Sequence, residues 1–265
     1  MMKPTGHLIF LLNPSLMTRF TLLIVTAMLM FTACSKQYNI DGNSSLPCLD
    51  GQKLYLRVTS FGQTQHQSID LDSCYVIHGR FKFEGRVDSI AMAEVYMGNE
   101  RLMPIVLEGG ELLMQVDNYG QTVTGGPLNE RLTAFFQKRS RYDNELWALD
   151  RYARRLLYNG KPMSEVMEEI EPKRKELIKT IEDMEVKFVL ENSTNALGPG
   201  YFLQMAHQMV FPMMTEQLQR IVDKAPRDFF RNPAVRNFLF LAGYTPPESP
   251  ADTPNKGRSK KNKNN

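Results

Sequence analysis

The first half of the chain alternates apolar and polar residues in short runs that end at glycine-containing turns. Phe81 and Phe83 would share one face of a strand, with Arg80, Lys82 and Glu84 on the other. Short strands at regular spacing are typical of an antiparallel sandwich or barrel. We predict an antiparallel β-sandwich domain over residues 34–125. Its strands are expected at residues 38–40, 53–58, 75–77, 80–84, 91–97, 102–107 and 111–116.

The apolar spacing becomes helical after residue 125. Pro127 suits the first turn of a helix, and Pro172 is expected to kink a later helix or to start a new one. We predict an all-helical domain over residues 126–244, which makes the fold class α+β. Its helices are expected at residues 128–136, 141–158, 163–188, 201–211, 215–224 and 233–242.

The third predicted helix carries apolar residues at steps close to a heptad repeat. These are Met163, Met167, Ile170, Leu177, Ile181, Met184 and Phe188. Such a short seam favours an intramolecular helical hairpin, and a dimer seam is the alternative.

The carboxyl-terminal residues 245–265 are rich in Pro, Lys and Asn and are predicted to be disordered. Five basic residues against one acidic residue make the end of this tail strongly positive, which leaves residues 34–250 with a net charge of −3. This balance argues against a nucleic-acid partner. The tail is interpreted as a solvated end, with contact to anionic headgroups as the alternative.

The amino terminus has the layout of a secretory signal. Arg19 precedes a short apolar run over residues 20–31, which is too short to span a membrane, and Thr32 and Ala33 precede Cys34. Residues 1–33 are therefore predicted to be a signal peptide, with Met17 expected as the true start.

The small residues before Cys34 resemble the bacterial lipobox, although Phe31 stands where Leu is most frequent. The resemblance implies that the thiol of Cys34 receives a diacylglycerol and that the new amine is acylated after cleavage. An ordinary signal with a chance cysteine is the alternative. Several acyl chains would anchor the protein to a membrane. Because Ser35 and Lys36 form no acidic run, the expected location is the outer membrane, facing the periplasm.

Two further cysteines, Cys48 and Cys74, each precede a predicted strand. In an oxidising compartment this pair could form a disulfide, and two small buried thiols are the favoured alternative. Their spacing is not CxxC, so a dithiol redox site is not expected.

Several turn and strand motifs resemble one family. They are Tyr38-Asn39-Ile40-Asp41-Gly42, Leu49-Asp50-Gly51, Gly79-Arg80-Phe81-Lys82-Phe83-Glu84-Gly85, Pro104-Ile105-Val106-Leu107-Glu108-Gly109-Gly110 and Gly126-Pro127-Leu128-Asn129. Together, over residues 37–243, they resemble an uncharacterised β-sandwich domain and helical connector in lipoproteins of Gram-negative gut anaerobes. In that family the domain often precedes a thioredoxin-like domain.

This chain departs from the family pattern at three points. Gly126 stands where Thr or Ser is usual, which removes a side-chain cap, and Cys74 stands where Thr or Ser is usual. The chain also stops where the thioredoxin-like domain would begin. The oxidoreductase activity of the longer relatives is therefore not expected here.

The sequence contains no motif for a metal, a cofactor or a catalytic centre. His66, His78 and His207 lack partners at metal-ligand spacing, and His78 is assigned to a turn beside Gly79. Two side-chain groups are assigned to packing instead of copper or sugar binding. They are Met205, Met209 and Met213 with His207, and Trp147 with Tyr142, Tyr152 and Tyr158.

We therefore expect a non-catalytic, lipid-anchored protein of the cell envelope. It would bind or organise a partner, either an envelope protein or a glycan, and reach the membrane through the lipid on Cys34. The alternative is an accessory or remnant front end of a thioredoxin-like thiol-disulfide interchange system.

Overall fold

The computed structural model describes residues 36–61, 66–209 and 211–244. The predicted signal peptide at residues 1–33, the predicted lipidation site Cys34 and the predicted disordered tail at residues 245–265 lie outside the described residues.

Eight strands form two four-stranded sheets that pack face to face, which confirms the predicted fold class. Sheet A has the order β4-β1-β7-β8, and sheet B has the order β3-β2-β5-β6. The strands are β1 Lys36–Ser44, β2 Lys53–Phe61, β3 His66–Tyr75, β4 Arg80–Val87, β5 Ala91–Met97, β6 Glu100–Leu107, β7 Gly110–Asp117 and β8 Gly120–Thr124.

One strand pair differs from a purely antiparallel sandwich. β1 runs antiparallel to β4 but parallel to β7, with Tyr38 opposite Gly110. Five strands separate β1 from β7 along the chain, so no hairpin turn dictates their relative direction. Alternation of apolar residues predicts which face of a strand is buried, but it does not predict the direction of the neighbouring strand.

The alternation predicted for β4 is confirmed. Phe81 and Phe83 are buried in the sandwich core, whereas Arg80, Lys82 and Glu84 are exposed. The two rings meet edge to face, with 6.0 Å between their centroids.

The carboxyl-terminal half is helical, as predicted. Its helices are α1 Pro127–Tyr158, α2 Met163–Glu191, α3 Leu197–Ala206, α4 Glu216–Val222 and α5 Pro233–Leu241. Two 3₁₀ turns lie at Pro47–Leu49 and Arg227–Arg231.

Some predicted helix boundaries are wrong. The predicted helices at residues 128–136 and 141–158 form one continuous helix of 32 residues, since no Gly or Pro lies between them. The helix predicted at residues 201–211 is α3, which spans Leu197–Ala206. The helix predicted at residues 163–188 is α2, which continues through Pro172, so the alternative that Pro172 starts a new helix is wrong. Ile170 and Leu177 are buried on either side of this proline, so packing offsets the backbone hydrogen bond that proline lacks.

The intramolecular hairpin interpretation is confirmed, because α1 and α2 pack against each other. The predicted seam is wrong at its amino-terminal end. Met163 and Met167 are 59% and 45% exposed, and Val166 is buried in their place at 1%. A helix of 3.6 residues per turn drifts away from a strict seven-residue repeat, so a neighbouring position meets α1 at this end.

Candidate functional site

The start of α1 closes one corner of the sandwich and thereby limits which surfaces remain open. Asn129 is fully buried, and its side chain both accepts from Val106 N and donates to Val106 O, each at 2.8 Å. One turn later, Thr133 Oγ1 accepts from Val123 N at 3.1 Å and donates to Val123 O at 3.0 Å. Two side chains of one helix face therefore occupy backbone groups of β6 and of β8, which are edge strands of their sheets.

A carboxylate from the sandwich caps this helix. Glu108 accepts from Leu128 N at 3.1 Å and from Asn129 N at 2.9 Å. A negative group is favourable at a helix amino terminus, where backbone N–H groups are unpaired. Gly126 leaves room for it, because a Cβ at residue 126 would collide with the Glu108 carboxylate. The side-chain cap missing at Gly126 is thus supplied by a residue 18 positions earlier in the chain.

The outer face of sheet A carries a concave surface with a volume of about 770 Å³. It crosses all four strands, and we call it the sheet A groove. Its side chains are mainly polar, with two exposed apolar residues, Ile77 and Leu113. The polar side chains are Asp41, Asn43, Arg80, Lys82, Gln115, Thr122 and Thr124.

Most polar side chains in the sheet A groove have no partner within the described part of the chain. Three do: Lys82 pairs with Glu84, Gln115 donates to Asp117 at 3.1 Å, and the Asp41 carboxylate interacts electrostatically with Lys82. The hydrogen bond from Lys82 to Glu84 raises the pKa of Lys82, so this ammonium group stays charged. The groove therefore offers hydrogen-bond donors and acceptors, and both signs of charge, to a ligand.

A buried polar network holds the helices together. Glu185 on α2 accepts from Arg139 Nε at 2.8 Å, from the Tyr201 hydroxyl at 2.7 Å and from Gln217 Nε2 at 2.7 Å. Burial and the adjacent Glu185 carboxylate raise the pKa of Tyr201 well above its ordinary value. The network joins α1, α2, α3 and α4, and each Glu185 oxygen is hydrogen-bonded, so we assign it a structural role.

The aromatic residues of α1 do not all pack as predicted. Tyr142 and Tyr152 are half-buried, but Trp147 is 66% exposed and Tyr158 is 92% exposed. The packing interpretation is therefore wrong for Trp147 and Tyr158. Both lie beyond Phe136, the last α1 residue that packs against the helical core.

The methionines near His207 likewise include both buried and exposed side chains. Met205 is buried in the helical core and Met209 packs against it, whereas Met213 is 56% exposed. The packing prediction is wrong for Met213 alone, because residues 212–215 lie in no helix.

The turn predicted at His78 is confirmed. His78 and Gly79 both have positive φ, and Ile77 and Arg80 exchange backbone hydrogen bonds across the turn. Two positive φ values in a two-residue loop are typical of the type I′ hairpin turn.

Cys48 and Cys74 are both free thiols in the structure, so their disulfide stays a prediction. Cys48 is exposed and Cys74 is partly buried. Burial raises the pKa of the Cys74 thiol to about 11, with a smaller contribution from Asp72. The thiol is protonated at neutral pH and is a poor nucleophile, which gives no support to the thiol-disulfide alternative.

Sheet B carries a row of cations and tyrosine rings that the sequence analysis did not identify. Lys53 lies 5.1 Å from the ring centroid of Tyr55 and 5.9 Å from that of Tyr75. Arg57 lies 4.7 Å from the ring of Tyr55 and 4.9 Å from that of Tyr96. The signal was present as Lys, Tyr and Arg at alternate positions of β2, which places them on one face. Arg57 also forms a salt bridge with Asp70. The charged groups of Lys53 and Arg57 are therefore already in contact with rings or a carboxylate of the same protein.

Comparison with known proteins adds one match. A family model described as "Domain of unknown function (DUF4369)" matches residues 38–132. This range covers the sandwich from β1 and ends in the first turns of α1, so it includes the Glu108 cap and Asn129. A comparison with curated proteins finds no match.

Two properties of the described residues bear on membranes and metals. None of the helices in the described ranges is both long and apolar enough to cross a membrane. Within residues 36–61, 66–209 and 211–244, no group of three or more His, Cys, Asp and Glu side chains is placed to hold a metal ion.

Proposed function

We propose that this chain is a non-catalytic protein of the cell envelope, anchored through lipid on Cys34, that binds an envelope glycan in the sheet A groove. The membrane would be the outer membrane, with the body facing the periplasm. The proposal combines the lipobox-like sequence before Cys34 with the geometry of one surface.

The observation that carries the proposal is the unpaired polar lining of the sheet A groove. The side chains of Asn43 and Arg80 form no hydrogen bond or ion pair within the described part of the chain, and those of Thr122 and Thr124 on β8 share this property. The Asp41 carboxylate forms no hydrogen bond there and interacts electrostatically with Lys82. Sugar hydroxyls both donate and accept hydrogen bonds, so they match such a mixed lining. Leu113, at 59% exposure, adds an apolar surface for the carbon face of a sugar ring.

The edges of sheet A favour a glycan over an extended peptide. An added peptide strand would need free backbone groups at an edge strand. Thr133 occupies both backbone groups of Val123 on β8, and Asp72 accepts from Glu84 N on β4 at 3.0 Å. A ligand recognised by side chains on the face of the sheet fits these contacts better.

Binding can be tested with purified envelope polymers. We expect the full-length protein in detergent to be retained by immobilised peptidoglycan or lipopolysaccharide. Asn43→Ala and Thr124→Ala should each weaken retention by about tenfold, the effect of losing one or two hydrogen bonds. Asn118→Ala, an exposed amide outside the groove, is the matched control. Retention by neither polymer, or equal retention of all variants, would contradict glycan binding.

The anchor is tested separately. Cys34→Ala should move the protein from the membrane fraction to the soluble envelope fraction, because acyl chains supply the proposed attachment. Crosslinking in cells followed by pull-down should then recover fewer partners. Unchanged membrane fractionation of Cys34→Ala would rule out the lipid anchor without affecting the groove assay.

A further inference from the structure

The distal half of the α1–α2 hairpin lies outside the helical core. We call residues 144–180 the arm. The helical core includes α1 residues only as far as Phe136 and α2 residues only from Met184. Among the described residues, side-chain hydrogen bonds of the arm stay within the hairpin, as in Tyr152 to Glu169 and Lys161 to Glu169. With a rise of 1.5 Å per residue, the arm is about 22 Å long.

The α1 side of the arm carries an exposed basic and aromatic stripe. Trp147, Arg151, Arg154 and Tyr158 follow at steps of four, three and four residues, which places them on one side of the helix. All four are exposed, and Arg151 and Arg154 form no ion pair with any described residue. Trp, Tyr and Arg are the residue types that most often dominate binding energy at protein interfaces.

The first turns of α2, next to the tip of the arm, have the opposite charge. Residues 163–171 contain four Glu and no Lys or Arg, whereas residues 151–158 contain three Arg and no acidic residue. Glu165 and Glu168, three positions apart, share one helix face, are exposed and, among the described residues, have no ion-pair partner. The arm therefore presents a basic aromatic stripe on one helix and an acidic surface at the start of the other.

We propose that the arm binds the arm of a second copy of this chain. The Trp147–Tyr158 stripe of one copy would pack on the Glu165–Glu168 surface of the other. Arg151 and Arg154 would then pair with Glu165 and Glu168, which have the same three-residue spacing. Contacts between like helices are disfavoured, because they would bring like charges together.

The size of the arm determines how strongly two copies of the chain are expected to associate. A surface about 22 Å long and about 10 Å wide, the diameter of one helix, covers roughly 220 Å². This area is smaller than the ~800 Å² per partner of a standard interface, so association in solution is weak and concentration-dependent. Anchoring of copies in one membrane would raise their effective concentration. The inference does not depend on glycan binding, and a failure of the groove assay leaves it intact.

The test uses charge reversal on the full-length chain in detergent, followed by light scattering across a range of concentrations. The basic stripe is reversed by Arg151→Glu with Arg154→Glu, and the acidic surface by Glu165→Arg with Glu168→Arg. Each double variant alone should lose self-association by about tenfold or more, because attraction becomes repulsion at each contact. An equimolar mixture of the two variants should associate, and so should the quadruple variant.

Two controls keep the result interpretable. Lys187→Glu with Arg231→Glu makes the same change in net charge at exposed residues outside the arm and should leave association unchanged. Circular dichroism should show that every variant keeps its helix content. A wild-type chain that stays monomeric throughout, or a mixture that fails to associate, would overturn the proposal. Arm crosslinks in cells that join only a different protein would overturn it as well.

Discussion

At the scale of single residues, Glu108 and Asn129 join the two halves of the protein. The Asn129 side chain pairs with both backbone groups of Val106 and also donates to Glu108 Oε1 at 2.8 Å. Glu108 in turn caps α1 at Leu128 and Asn129. Both residues lie in motifs that carry the family resemblance. Those motifs therefore correspond to the edge strand β6 and to the start of the helix that covers it.

The cap predicts opposite effects of one substitution in two backgrounds. Gly126→Ser should destabilise the wild-type protein by about 1 kcal/mol, because the new side chain displaces the Glu108 carboxylate. In a Glu108→Ala background the same serine should stabilise the protein by about 0.3 kcal/mol, since it then supplies the missing cap and glycine is only slightly worse than serine at this position. Urea unfolding of the four proteins measures both effects. Destabilisation of equal size in both backgrounds would show that Glu108 is not the cap.

Cys74 predicts a pH dependence. Its pKa rises from 9.0 to about 11 on folding, so the protonated thiol is favoured in the folded state. The associated stability is fully present below about pH 9 and is lost as the pH rises toward 11. At pH 8, iodoacetamide should modify Cys74 roughly 100-fold more slowly in the folded protein than in urea, from the difference in thiolate fraction. The exposed thiol of Cys48 is the internal control, because its modification shows that iodoacetamide reacts with an accessible thiol of the folded protein. A modification rate that levels off near pH 9 would contradict the raised pKa.

At the scale of elements, α1 and α2 are long helices with two different parts. Their proximal parts pack on the sandwich and on α3 to α5, with Phe135 stacked on Phe188 at 4.0 Å between ring centroids. Their distal parts form the arm, whose side-chain hydrogen bonds to other described residues lie within the hairpin. The Glu185 network lies in the proximal part and fixes how four helices meet.

The network predicts a large cost for removing its cation. Arg139→Met should destabilise the protein by about 3 kcal/mol, because it leaves the buried Glu185 carboxylate without its ion-pair partner. Arg151→Met, an exposed arginine of the same helix, should change stability by less than about 0.5 kcal/mol. Urea unfolding followed by circular dichroism compares the two, and equal small effects would place Glu185 in a more solvated environment than the structure shows.

At the scale of the whole molecule, two hydrophobic cores share strand β6. Ile105 and Leu107 belong to the sandwich core, and Val106 belongs to the helical core. Met92 on β5 also packs against the helices, where a Cβ at Gly200 would lie 2.6 Å from Met92 Cβ. A strand buried on both faces couples the stability of the sandwich to that of the helices.

This coupling predicts a local effect on hydrogen exchange. Gly200→Val should push α3 away from β5 and increase exchange in both elements, while β1 and β7 in sheet A stay protected. Ala148→Leu on the exposed face of the arm is the control and should leave exchange in β5 unchanged. An unchanged exchange pattern in Gly200→Val would show that α3 and β5 are not closely packed.

The sequence by itself determined the fold class, most element positions and the turn at His78. These depend on local physics: alternation in strands, helical spacing and the φ preferences of turn residues. The helix break predicted near Ser140 was wrong, since Pro127–Tyr158 is one helix. Pro172 does not start a new helix, because burial of Ile170 and Leu177 outweighed local preference.

Only the tertiary structure decided the contacts between residues that are distant in sequence. The parallel pairing of β1 with β7, the Glu108 cap, the Glu185 network and the exposure of Trp147 each depend on which element lies opposite. A side chain at helical spacing is buried only where a partner covers it, and the pattern does not say where coverage ends. The sheet A groove and the arm could be located only in the tertiary structure, because each is a surface that the other described elements leave uncovered.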